Sequence, residues 1–106
     1  MIFHTAYFWL KPNLNKEELL NFEKGLQSLQ GISLVKDGNY GSPAATLKRS
    51  VIEDSYSYAN LLVFDGVEDQ DKYQDDPVHV AFVERHQDKW DRVQVFDFDT
   101  SCHRDE

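Results

Sequence analysis

A tyrosine and a histidine on either side of a proline are the side chains of this sequence best suited to chemistry. Tyr73 and His79 flank Pro77 in the segment YQDDPVHVAF. Asp76 is a good helix N-cap and Pro77 a good first helical residue, which places His79 at the third helical position. There the positive end of the helix dipole disfavours the imidazolium ion and favours a neutral ring that accepts a proton. A tyrosine hydroxyl beside such a base suits removal of a proton next to a carbonyl group.

An alternative of equal weight gives these two residues structural roles. The imidazole of His79 would cap backbone groups at the helix start, and the phenol of Tyr73 would bridge protomers. His86 is expected to be a half-exposed packing residue, and His103 to lie in a frayed tail. No metal site is predicted, because His79 and His86 lie two helical turns apart, roughly 10 Å, which is too far to share one ion.

The sequence contains two further groups of charged residues, one in a long loop and one in the last strand. Lys48 and Arg49 form a basic pair in a long loop, where they would meet a carboxylate or phosphate of a ligand or, as the favoured alternative, remain solvated. Asp97 and Asp99 share one face of the last strand and receive no role, because acidic residues at a strand end commonly serve solubility.

The elements that would position these residues follow the order β-α-β-β-α-β, which is typical of a ferredoxin-like α+β domain with a four-stranded antiparallel sheet and helices on one face. Asn15 and Glu18 form a capping box, so the first helix begins there, and a left-handed residue at Gly31 is expected to end it. Strands are predicted over 2–10, 32–36, 56–64 and 93–98, a short helix over 68–73, and turns and loops over 37–55.

Each long helix carries one apolar stripe at helical spacing. The stripe of the first helix consists of Leu19, Phe22, Leu26 and Leu29. The stripe of the last helix consists of His79, Phe82, His86 and Trp90.

The strands are apolar on both faces, which two helices on one side cannot cover. In the first strand Phe8 shares a face with His4 and Ala6, whereas Phe3, Tyr7 and Trp9 point the other way. The last strand sets Val93 and Val95 against Phe96 and Phe98. An exposed aromatic sheet face of this kind marks an interface, so the chain is expected to form a homodimer through it. The alternative is that these aromatics are scattered surface residues or are covered by the terminal tail.

Composition excludes several classes of function. The formal charge is −8, from 19 acidic and 11 basic residues, and it would repel nucleic acids and anionic lipid surfaces. No apolar run approaches the ~18 residues of a membrane span. With one cysteine, Cys102, the chain can form no intrachain disulfide, and it begins without a recognisable secretory signal. The expected location is the cytoplasm.

The pattern Y-x-x-x-P-x-H-x-x-F, together with His4, Trp90 and the closing Val95-Phe96-Asp97, resembles the stress-responsive α/β-barrel (Dabb) domain family. The resemblance covers residues 1–100 as a single domain and leaves 101–106 as a polar tail. It implies a ferredoxin-like protomer whose sheet meets that of a second copy in a dimeric α/β barrel. It also implies a Tyr–His pair at Tyr73 and His79, as in polyketide cyclases of the family, acting without a cofactor.

From the same resemblance His4 would line the pocket and orient a substrate oxygen. The sequence departs from the cyclases on the first helix, where Phe22 is followed by Glu23 rather than another aromatic residue, so a different substrate is expected. The predicted substrate-binding walls are His4, Ala6, Phe8, Phe22, Leu26, Phe82, Trp90, Val93 and Val95.

Three functions stay open at this point. The first is a cofactor-independent lyase or cyclase on a small carbonyl compound, with Tyr73 and His79 as acid and base. The second is a non-enzymatic, homodimeric small-molecule-binding or stress-associated protein. The third, a cofactor-free monooxygenase, follows from the dimeric-barrel group and from no particular residue.

Overall fold

The structure is a computed structural model that describes residues 1–102. His103, which the sequence placed in a frayed tail, lies outside the described residues.

The chain forms a four-stranded antiparallel sheet with three helices, a ferredoxin-like α+β fold as predicted. In chain order the elements are β1 (Ile2–Leu10), α1 (Lys16–Gln30), β2 (Asp37–Gly41), β3 (Tyr58–Phe64), α2 (Val67–Gln74), α3 (Pro77–His86), a 3₁₀ turn (Gln87–Lys89) and β4 (Trp90–Asp99). The sheet order is β2-β3-β1-β4, so the first strand is central and pairs with both β3 and β4.

The first helix begins as predicted but ends differently. The Asn15 side chain accepts from the backbone N–H of Glu18, and the Glu18 carboxylate accepts from the backbone N–H of Asn15, so the capping box is complete. Gly31, however, has φ −87°, a right-handed conformation. A left-handed residue is unnecessary because the last turn tightens, with the Gly31 N–H donating to the Ser28 carbonyl at 3.2 Å.

The second strand lies later than predicted. Residues 32–36 form turns, in which the Val35 N–H donates to the Ile32 carbonyl at 2.9 Å, and the buried Ile32 packs into the core. The strand is Asp37–Gly41, which opens the segment that was predicted to be loop. As an edge strand it is held by backbone hydrogen bonds to β3, and these do not require apolar side chains.

The last helix is shorter than its apolar stripe indicated. It ends at His86, and Trp90 is the first residue of β4 rather than a helical residue. The Trp90 ring still lies 6.2 Å from that of Phe82, so it packs beside the apolar residues of α3 although it is not helical. His86 is fully buried, contrary to the half-exposed position expected, because its ring packs against those of Phe22 and Phe82.

The two faces of the sheet differ as the alternation of side chains predicts. On the helix side Ala6, Phe8 and Leu62 are buried in the core. On the other side no helix packs, and Phe96 and Phe98 are 57% and 58% exposed. We call this second surface the open face; its aromatic members are Phe3, Tyr7, Trp9, Phe96 and Phe98.

Candidate active site

A cavity of about 140 Å³ lies between the helix side of the sheet and helices α2 and α3. Both predicted catalytic residues, Tyr73 and His79, line it. All of the predicted wall residues except Phe22 and Leu26 line it as well, with those of β1 and β4 brought together by strand pairing. This cavity is our candidate active site.

Phe22 and Leu26 lie deeper than the sequence indicated. Both are completely buried on α1, and neither reaches the cavity. The Phe22 ring fills the space between the rings of Phe8, at 5.2 Å, and Phe82, at 5.7 Å between centroids. These two residues therefore support the cavity walls from behind.

Four residues that line the cavity were not predicted from the sequence, one from each of the three helices and one from β3. They are Leu29, Asn60, Gln74 and Val83. Asn60 is an informative case, because a polar residue in an otherwise apolar strand is a signal in itself. Its side-chain oxygen accepts a hydrogen bond from the Gln30 amide at 2.5 Å, so it is a satisfied buried group.

The rings of Tyr73 and His79 lie against each other at the cavity, with centroids 4.6 Å apart and planes inclined by 51°. Tyr73 ends α2 and His79 occupies the first turn of α3, so the tight connection capped by Asp76 brings the two together. Within residues 1–102, no hydrogen bond joins the Tyr73 hydroxyl to the imidazole. Each polar group is therefore available to a third molecule in the cavity.

A hydrogen bond orients the imidazole of His79, and burial keeps the phenol of Tyr73 protonated. Nδ1 of His79 lies 3.0 Å from the carbonyl oxygen of Gln74, which only accepts, so Nδ1–H donates and Nε2 is the nitrogen that can accept a proton. Tyr73 is 2% exposed. Burial, and secondarily the negative charge of Asp76, raise the pKa of the Tyr73 phenol, so the hydroxyl remains a proton donor across the physiological range.

A second polar group lies on the floor of the cavity. Nδ1 of the buried His4 is 2.6 Å from Oδ1 of Asp97, and the amide of Gln70 donates to Oδ2 of the same carboxylate at 3.2 Å. The sequence analysis gave Asp97 no role. The pairing could not be read from either strand alone, because it depends on the register that sets His4 opposite Asp97.

The indole of Trp90 adds a polar atom to the walls. Its Nε1 is buried and has no hydrogen-bond partner among the described residues. Buried donors of this kind are rare because each unpaired group costs about 1–3 kcal/mol.

The family model of the stress-responsive A/B barrel domain, Dabb, matches residues 2–100. The chain belongs to this family. Among proteins with curated functions, none matches the sequence.

Solved structures of other proteins show the same fold. A protein of Arabidopsis thaliana superposes with a TM-score of 0.78 at 20% identity, over 98% of this chain and 99% of its own. A hydroxynitrile lyase from Passiflora edulis gives 0.74 at 18% identity, over 92% and 90%. A dimeric ferredoxin-like protein of unknown function from Thermobifida fusca gives 0.74 at 20%, over 92% and 88%.

Other features of this Dabb domain do not contribute to the candidate active site. Lys48 forms an ion pair with Asp54 at 2.9 Å on the protein surface, as expected of a solvated loop charge. In the part of the chain that the structure describes, no three His, Cys, Asp or Glu side chains are grouped to hold a metal ion. None of the helices described is long and apolar enough to cross a membrane.

Proposed function

We propose that this Dabb domain is a cofactor-independent lyase or cyclase that acts on a small carbonyl compound. His79 is the general base and Tyr73 the general acid. The observation that carries this proposal is the contact of the two rings at one cavity, with an acceptor nitrogen on His79 and a protonated hydroxyl on Tyr73.

The chemistry follows from these two polar groups. Nε2 of His79 takes a proton from the carbon beside the substrate carbonyl and returns it to the product, or it takes the hydroxyl proton of a hydroxynitrile. In the second case the hydroxyl oxygen becomes the carbonyl oxygen, the carbon–carbon bond breaks with its electron pair leaving on cyanide, and the cyanide receives the proton as hydrogen cyanide. The Tyr73 hydroxyl donates a hydrogen bond to the carbonyl oxygen, where negative charge develops in the transition state. The hydroxynitrile lyase among the fold relatives is compatible with such acid–base chemistry.

His4 is proposed to orient the substrate rather than to move a proton in the central step. Its Nδ1–H donates to Asp97, which fixes the ring and leaves Nε2 as an acceptor for a substrate hydroxyl. The ring lies 6.2 Å from that of Tyr73, so a molecule in the cavity would contact both.

The cavity volume restricts the substrate. At about 140 Å³ it is well below the 300–1,000 Å³ of sites for drug-sized ligands. Its walls are mainly apolar, from Phe8, Phe82 and Val95 among others. We therefore propose a compact aldehyde, ketone or hydroxynitrile with one apolar end.

We propose further that the protein is a homodimer joined through the open face. The fold relative from Thermobifida fusca is described as dimeric, and Phe96 and Phe98 on this face are more than half exposed in the part of the chain that the structure describes. A groove of about 450 Å³ among Tyr7, Trp9 and Phe96 is larger than the candidate active site. We assign it to the dimer seam, because it opens on this face and Arg92 already stacks on Trp9 at 4.3 Å. The single cysteine supports a cytoplasmic location.

A second candidate function, small-molecule binding without turnover, is favoured by the burial of Tyr73. The Tyr73 ring is only 2% exposed, so its hydroxyl contacts only a ligand that fits the cavity closely. Such a fit is sufficient for binding without a reaction. This candidate uses the same cavity, so catalysis by His79 separates the two.

The test is thermal unfolding with two probes, phenylacetone and racemic mandelonitrile. A ligand of the folded state raises the stability by about 2.7 kcal/mol at a hundred times its dissociation constant. We expect a rise in Tm for the wild type, a much smaller one for His79→Ala, and a rise equal to wild type for Val80→Ala, the half-exposed neighbour on α3. Equal rises in wild type and His79→Ala would remove His79 from the site.

A further inference from the structure

Two apolar side chains project from the segment between β2 and β3. We call residues 42–57 the β2–β3 arm. Leu47 is 85% exposed and Val51 76%, more than any other large hydrophobic residue that the structure describes. Isolated apolar residues are common on surfaces, but these two lie in a run, AATLKRSVI, that is more than half apolar and almost wholly exposed.

The root of the arm is hydrogen-bonded to β1, whereas its tip is shaped by a hydrogen bond within the arm. At its root the Ser57 N–H donates to the Phe8 carbonyl at 2.7 Å, and the Trp9 indole donates to the Ser55 hydroxyl at 2.9 Å. At its tip the Ile52 N–H donates to the Arg49 carbonyl at 3.0 Å. The tip is therefore closed by local bonds, while its apolar side chains remain in solvent.

The arm projects from the side of the protein that carries the open face. Near its root the Tyr56 ring packs edge-on against Tyr7, 4.9 Å between centroids, and both Tyr7 and Trp9 belong to the open face. The protein is a slab 50 × 39 × 20 Å with a radius of gyration of 14.9 Å. A compact domain of this length would have about 13 Å, so part of the chain extends beyond the body.

We propose that the β2–β3 arm of each protomer packs against a second copy of this chain and buries Leu47 and Val51 there. This inference rests on the dimer through the open face proposed above, and it is independent of catalysis. Tyr56 makes the arm continuous with the open face, so a partner seated on that face lies beside the arm. Because a two-fold interface is isologous, each protomer gives one arm and receives one.

The basic pair at the tip of the arm suits an acidic partner surface, while the arm's two acidic residues, Glu53 and Asp54, follow it in the chain. Lys48 and Arg49 stand between the two apolar residues, and the protomer that would receive the arm has a formal charge of −8. Opposite charge at the rim of an interface steers association and fixes the register of the two surfaces. Lys48 is held by Asp54, so Arg49 is the residue left to meet the partner's acidic surface.

The first experiment measures the accessibility of the arm by thiol labelling. In a Cys102→Ser background, Leu47→Cys is labelled with Ellman's reagent at protein concentrations above and below the dimer dissociation constant. We expect labelling to be at least tenfold slower in the dimer. The control is Val67→Cys, which is 58% exposed at the start of α2 on the helix side of the sheet, and its rate should not change. Equal rates for Leu47→Cys in monomer and dimer would overturn the proposal.

The second experiment measures the dimer itself by sedimentation equilibrium. Leu47→Asp with Val51→Asp should raise the dissociation constant at least tenfold with an unchanged circular dichroism spectrum, and Val67→Asp should leave it unchanged. If Phe96→Asp dissociates the dimer but the arm variant does not, the arm proposal is wrong and the open-face dimer stands. A wild type that is monomeric at every concentration would overturn both, with the Tyr73–His79 cavity still tested separately by ligand-induced shifts in Tm.

Discussion

His4 of β1 and Asp97 of β4 face each other across paired strands, with 2.6 Å between Nδ1 and Oδ1. The carboxylate is partly exposed, while the imidazole is buried beside Tyr73. Strand pairing therefore joins a partly exposed carboxylate to a histidine that lines the cavity. The alternation of side chains along β1, which was evident in the sequence, places His4 at the cavity. Its partner Asp97 was not predicted to have a role.

Removal of the Asp97 carboxylate should cost a moderate amount of stability. A charge-assisted hydrogen bond at a partly exposed site contributes about 1 kcal/mol, so Asp97→Ala should lower the free energy of unfolding by that amount in urea titrations at pH 7. Asp91→Ala, at an exposed position of the same strand, should change it by less than about 0.5 kcal/mol. Equal effects of the two substitutions would mean that the His4–Asp97 pair is not formed in solution.

Gly25 within α1 and Gly31 immediately after it should respond oppositely to alanine. A Cβ at Gly25 would lie 2.6 Å from Nε2 of His86 and 3.0 Å from the Phe82 ring. Gly25→Ala should therefore destabilise the fold by about 1 kcal/mol or more, because overpacking outweighs the gain in helix propensity. A Cβ at Gly31 meets only the Ser28 carbonyl oxygen at 3.6 Å, and φ is negative, so Gly31→Ala should be neutral or stabilise by up to about 1 kcal/mol. Loss of stability in Gly31→Ala alone would reverse this assignment.

His86 should make the stability depend on pH. Burial, with the nearby positive charges of Lys89 and Arg85, lowers the pKa of His86 to about 4, whereas Asp88 acts weakly in the opposite direction. The ordinary pKa of histidine is about 6.5, so between about 6.5 and 4 the unfolded chain binds a proton that the folded protein does not. The contribution of His86 is complete above about pH 6.5 and is lost as the pH falls to about 4.

The measurement for His86 is the free energy of unfolding at pH 7 and at pH 4, in the wild type and in His86→Gln. After allowance for solvent screening, the wild type should lose about 2 kcal/mol more than the variant over this interval. Parallel losses would show that His86 is protonated equally in the folded and unfolded states.

The open face should decide the oligomeric state. Phe98 stacks on Phe3 at 4.9 Å between centroids, yet it is 58% exposed. A charge buried there in a dimer would be uncompensated, so Phe98→Asp should shift the protein to monomers in sedimentation experiments. Leu20→Asp, on an exposed part of α1, should remain dimeric. A dimer that survives Phe98→Asp would place the interface elsewhere.

Features set by local geometry could be predicted from the sequence. The capping box at Asn15 and the start of α3 at Pro77 depend on residues close together in the chain, and both occur as expected. The two faces of β1 follow from the strict alternation of side chains, which is why its three predicted wall residues line the cavity.

Features set by tertiary pairing could not be predicted in the same way. The strand Asp37–Gly41 is held by the backbone of its neighbour, and its side chains carry no strand signal. Asp97 contacts His4 only because of the register between β1 and β4. Trp90 lies in a strand rather than in the predicted helix because a 3₁₀ turn separates it from α3. Periodicity placed Phe22 on the apolar face of α1, but it could not tell a core position from a cavity wall.

The central claim, that His79 removes a proton beside a carbonyl at this cavity, is tested most directly by deuterium exchange. Phenylacetone is incubated with the protein in D₂O, and loss of its α-proton signals is followed by NMR. Because a positioned general base contributes about 10²–10⁴ in rate, the wild type should exceed His79→Gln by at least a hundredfold, with Tyr73→Phe also slow and Val80→Ala equal to wild type. Exchange at the same rate in wild type and His79→Gln would contradict the account.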